Sequence, residues 1–74
     1  MTRKEILNNL RAEKHGVISA RDLLRLLADQ NGYPAAKDMP QREKNEFWSW
    51  LHWLEERNRV KLSHGPRGTY IVLL

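Results

Sequence analysis

The sequence contains no cysteine, which removes disulfides and thiolate metal sites from the ways it can be stabilised and suits a reducing compartment. It also lacks any apolar run near the roughly 18 residues that span a bilayer. The leading stretch, Met1-Thr2-Arg3-Lys4-Glu5, runs into an amphipathic pattern broken by Asn8 and Asn9, where a secretory leader needs an unbroken apolar segment. A cytoplasmic protein with no membrane attachment is expected. Repeats, low-complexity tracts and linkers are missing as well, so the 74 residues form one domain. A chain this short buries only roughly 60% of its unfolded surface. With 41% hydrophobic residues and three Trp, packing must supply its stability.

Charge is plentiful, and its placement is informative. The net charge is +4 and the pI near 9.9, which favours polyanionic partners. Residues 16–59 are balanced between acids and bases. The surplus lies at the ends, in Arg3, Lys4, Arg11 and Lys14 on one side and Lys61 and Arg67 on the other.

Spacing predicts a first helix over residues 3–14. Thr2-Arg3-Lys4-Glu5 is a capping box, Ile6, Leu7 and Leu10 share a face, and Gly16 supplies a left-handed stop. Val17-Ile18 is long enough only for a strand stub. Ser19-Ala20-Arg21-Asp22 opens a second helix over 20–30, with Ala20, Leu23, Leu24 and Leu27 inward, Leu26 half covered and Asn31-Gly32 as terminator. Residues 32–40 read as an irregular loop around Pro34 and Pro40, with Asp38 as the N-cap of the next helix. That third helix, over 40–58, places Phe47, Trp50, Leu51 and Leu54 in one apolar sector. Arg42, Asn45, Ser49, His52 and Glu56 fall in the opposite sector, with Gln41 at its edge. Trp48 and Trp53 flank the stripe. Val60-Lys61-Leu62 and Thr69-Tyr70-Ile71-Val72-Leu73-Leu74 then alternate as strands, joined by a turn over 63–68 into a hairpin over 60–74.

The order is helix, stub, helix, helix, hairpin. Three segments carry a family resemblance: Val17-Ile18-Ser19-Ala20-Arg21-Asp22-Leu23-Leu24, Trp50-Leu51-His52-Trp53-Leu54-Glu55-Glu56-Arg57-Asn58-Arg59-Val60 and Gly65-Pro66-Arg67-Gly68-Thr69-Tyr70. They look like the capped second helix, the end of the recognition helix and the wing tip of winged helix-turn-helix domains. The chain resembles that family over essentially its whole length. The resemblance implies an α+β fold, a three-helix winged helix-turn-helix with a C-terminal β-hairpin wing. It further implies sequence-preferring binding of double-stranded DNA by a small transcription regulator, as a homodimer or beside a second regulatory protein. One departure stands out: family members join the second and third helices by a few residues, whereas here the connection is about nine.

On this reading the third helix enters a major groove, which accepts one α-helix. Arg42 suits guanine and Asn45 adenine by bidentate pairing, and Gln41, Lys44 and Ser49 add contacts from the same half of the helix. Arg67 at the glycine-flanked tip, with His64 and Lys61 near it, meets the backbone or a minor groove. Arg21 and the free amides opening the second helix seat a phosphate.

Catalysis is not expected. His15, His52 and His64 share no metal-ligand spacing, adjacent Glu55 and Glu56 face different sides of a helix, and Ser19 is accounted for by capping. No cofactor is implied. A rival function keeps the fold and makes it a protein-interaction module, docking through exposed Trp48, Trp53 and Tyr33. Stacking of exposed Trp on single-stranded nucleic acid is a third reading.

Overall fold

The computed structural model describes residues 2–74. Three helices, α1 (Arg3–Ala12), α2 (Ala20–Gln30) and α3 (Gln41–Glu56), combine with strands β1 (Val17–Ser19), β2 (Val60–Gly65) and β3 (Gly68–Leu73). This is a small α+β fold with one three-stranded antiparallel sheet in the order β1-β3-β2.

Two of the three expected caps form. Thr2 Oγ1 accepts from the Glu5 amide at 3.3 Å, and Ser19 Oγ accepts from the Asp22 amide at 3.1 Å. α2 matches its expected bounds because it also has a local stop. Gly32 stands at φ +84°, its N–H donates to the Asp29 carbonyl, and the Tyr33 N–H donates to that of Ala28. This is the Schellman arrangement that satisfies orphaned end carbonyls. α3 ends the same way with asparagine in the glycine's place: Asn58 has φ +59°, and the Asn58 and Arg59 amides donate to the Glu55 and Leu54 carbonyls. α1 ends at Ala12, two residues short of expectation. Gly16, at φ +67°, serves the sheet instead of the helix, since its carbonyl accepts from the Leu73 amide at 2.8 Å.

The connection from α2 to α3 is more ordered than its prolines suggest. A 3-10 turn, Ala36–Asp38, occupies its centre, and Met39 behind it is only 3% exposed. Asp38 therefore lies inside that turn and does not cap α3. Pro40 takes the cap position without a side-chain hydrogen bond, and its carbonyl accepts from Glu43 and Lys44.

The hairpin is longer and tighter than its sequence implies. Pairing runs from Val60↔Leu73 to Gly65↔Gly68, leaving only Pro66 and Arg67 in the turn. Proline fixes φ near −65°, and Gly68 at φ +122° absorbs the twist that a two-residue connection demands. Register then sorts the faces: Ile18, Ile71 and Leu62 align across the sheet and are buried, while Val17, Val72 and Lys61 align on the outer face.

The core lies between that inner face and the helices. α1 contributes Ile6 and Leu10, α2 contributes Ala20, Leu23, Leu27 and Ala28, and α3 contributes Phe47, Leu51 and Leu54. Leu24, expected inside, is half-buried, and its place is taken by Ala28. Leu26 is 40% exposed, as its position off the stripe implies. No helix is long and apolar enough to cross a membrane among the described residues.

Candidate nucleic-acid interface

Because Phe47, Leu51 and Leu54 anchor α3 inward, the helical period turns Gln41, Arg42, Asn45, Ser49, His52 and Glu56 outward. All six are exposed. No loop or tail of the described chain covers them. Arg42, Asn45, Glu46, Ser49 and Trp50 together line an open groove along the first three turns of the helix. Four of these residue types hydrogen-bond base edges, as donors (Arg), acceptors (Glu) or both (Asn, Ser).

The groove is internally paired. Gln41 Nε2 donates to Asn45 Oδ1 at 3.0 Å. Arg42 Nε lies 3.9 Å from Glu46 Oε1, with the two side chains 86% and 41% exposed. Both are i,i+4 contacts on a solvated surface, where such pairs contribute only about 0.3–0.5 kcal/mol. They order the side chains in the free protein and yield readily to a stronger partner.

Trp50, expected within the apolar sector, is half-buried, packing on the edge of the core while lining the groove. The reason is angular, since it lies on the opposite edge of the stripe from Leu51. Lys44 sits four residues before Trp48 and seven before Leu51, on the other flank, and is half-buried. It is therefore set apart from the Arg42–Asn45–Ser49 face. Glu46 was not anticipated in the groove, although its position four residues after Arg42 was legible.

The other expected contacts lie on separate elements. Arg67 is exposed in the two-residue turn. His64 pairs across the hairpin with Thr69, its Nδ1 2.8 Å from Thr69 Oγ1. Lys61 is exposed on the outer sheet face. Arg21 is exposed in the first turn of α2. Asp22 instead pairs with Arg25 at 3.3 Å, and among the described residues Arg21 joins no ion pair.

The tryptophans are engaged within the chain. Trp48 meets Phe47 edge-to-face at 5.4 Å, and Trp53 meets Trp50 in the same way at 5.8 Å. The guanidinium groups of Arg3 and Arg57 lie over the Trp53 ring, 4.7 and 4.2 Å from its centroid. The Glu43 carboxylate favours the neutral phenol of Tyr33 and raises its pKa, with Arg42 opposing. No group of three His, Asp or Glu side chains is placed to hold a metal among the described residues.

Comparison of the chain with protein-family models, curated proteins and solved structures gives no match.

Proposed function

We propose that the chain is a winged helix-turn-helix protein that binds double-stranded DNA with sequence preference, as a small cytoplasmic transcription regulator. The observation that carries this reading is the exposed Arg42–Asn45–Ser49 face, held outward by the buried opposite side of α3. The sheet order β1-β3-β2 and the glycine-bounded hairpin are compatible with a wing beside that helix. In this mechanism α3 enters a major groove, Arg42 and Asn45 read base edges, and Ser49 adds a shorter contact. Arg67, His64 and Lys61 on the hairpin and Arg21 on α2 hold phosphates, giving affinity without base preference. Lys44 contributes attraction from the flank.

An amide-shift titration of labelled protein with duplex DNA tests the proposal at two salt concentrations. Shifts should cluster on residues 41–49 and 64–68. The three Lys/Arg phosphate contacts, Arg67, Lys61 and Arg21, give a log–log salt slope of roughly −3. Salt-insensitive binding, or shifts confined to Trp48, Trp53 and Tyr33, would replace the DNA reading with the protein-docking one.

A further inference from the structure

A second basic site lies at the other end of α3 and takes no part in the proposed contacts. Arg3, Leu7, Trp53, Leu54, Arg57 and Arg59 line a cleft of about 260 Å³. Three separated stretches of sequence meet there. Arg3 opens α1, Trp53 lies in the last turn of α3, and the left-handed turn at Asn58 brings Arg59 round to the same cleft as Arg57. Stacking on Trp53 fixes the guanidinium groups of Arg3 and Arg57. A stacked guanidinium is attracted through its face and keeps its edge N–H donors for a partner. Among the described residues, no carboxylate lies within ion-pairing distance of Arg3, Arg57 or Arg59. Glu55, the nearest acid in sequence to Trp53, is used elsewhere, accepting from the Leu62 amide at 3.2 Å. About 22 Å of helical rise separates positions 42 and 57, so this cleft is distinct from the reading face.

We propose that Arg3, Arg57 and Arg59 around Trp53 form a binding site for a phosphoryl anion. Arg3, Arg57 and Arg59 all line this one cleft, and an arginine fork pairs bidentately with the acceptor oxygens of a phosphate. The phosphoryl group comes either from a small phosphorylated molecule or from a nucleic-acid backbone running past the far end of α3.

The test titrates labelled full-length protein with inorganic pyrophosphate, following the Trp53 indole N–H and the amides of residues 57–59. These signals should shift saturably. Arg57→Gln and Arg59→Gln should each weaken binding about tenfold, consistent with loss of a charge-assisted contact. Arg57→Lys should also weaken it, because charge without the fork is insufficient, whereas Arg25→Gln, exposed on α2 and paired with Asp22, should leave it unchanged. The unperturbed remainder of each spectrum reports that the variants are folded. A parallel titration with duplex DNA assigns the source. Shifts at Trp53 there identify backbone phosphate, and their absence beside saturable pyrophosphate shifts identifies a small anion. A linear, non-saturating response, or the same response in the Arg57→Gln/Arg59→Gln double variant, overturns the site.

Discussion

At the scale of single residues, Arg42 allows the proposed recognition to be tested apart from stability. It is fully solvated apart from its i,i+4 contact with Glu46, so its removal leaves the core untouched. Arg42→Ala should leave the urea midpoint unchanged while weakening binding to a preferred duplex by about 1–3 kcal/mol. A gel-shift series in which preferred and mismatched sites weaken equally would remove Arg42 from the reading residues. Tyr33 gives a second residue-scale expectation, this time in pH. Its pKa is raised in the folded protein, so folding favours the neutral phenol. The contribution is present in full below the unfolded value near 10 and is lost as pH rises through the folded value. Denaturation of the native protein and of Tyr33→Phe, compared from pH 8 to 11, should show a steeper alkaline decline in the native protein.

Elements are where the sequence was most and least readable. Both ends of α2 are marked by local chemistry, the Ser19 cap and the Asn31-Gly32 stop, and its bounds match the expectation. The Arg42, Asn45 and Ser49 face was legible for a similar reason, because the period of α3 follows from its own apolar residues. What the sequence hid depends on distant partners. Gly16 resembles a helix terminator until β3 claims its carbonyl. Residues 63–65 resemble a turn until they pair with 68–70. Met39 reads as part of an irregular loop until the 3-10 turn buries it. The cleft around Trp53 was half legible: Arg57 lies four residues along the same helix, but nothing local announces Arg3. Two substitutions test the termini that govern α2 and α3. Ser19→Ala should cost about 1 kcal/mol by orphaning the Asp22 amide. Asn58→Ala should cost a similar amount, about 1–2 kcal/mol, because a Cβ without a locally bonding side chain is strained at positive φ. Asn58→Gly should cost nothing, and chemical denaturation of the pair separates backbone strain from lost side-chain contacts.

The whole molecule is small and closely folded, with a Cα radius of gyration of 11.5 Å, near the roughly 11.3 Å expected for a compact chain of this length. Its total stability is on the order of 4–11 kcal/mol, so one core residue matters greatly. Ile71 is completely buried and aligned with both Ile18 and Leu62. Ile71→Ala should cost about 2–5 kcal/mol, enough to leave a substantial unfolded population if the native stability lies at the lower end of that range. Lys61→Thr, on the outer face of the same sheet, should change stability by less than about 0.5 kcal/mol. Equal losses in the two variants would contradict the division of the sheet into a packed and a solvated side.

The strand order β1-β3-β2 also sets a timetable for synthesis. The middle strand is the last of the three to leave the ribosome, so β1 and β2 wait without any neighbour to bond. β1 must then recruit a segment about fifty residues downstream, a non-local closure of the kind that slows folding. Until β3 emerges, the growing chain can hold only helices and fluctuating apolar contacts. Its architecture is completed in a single late event.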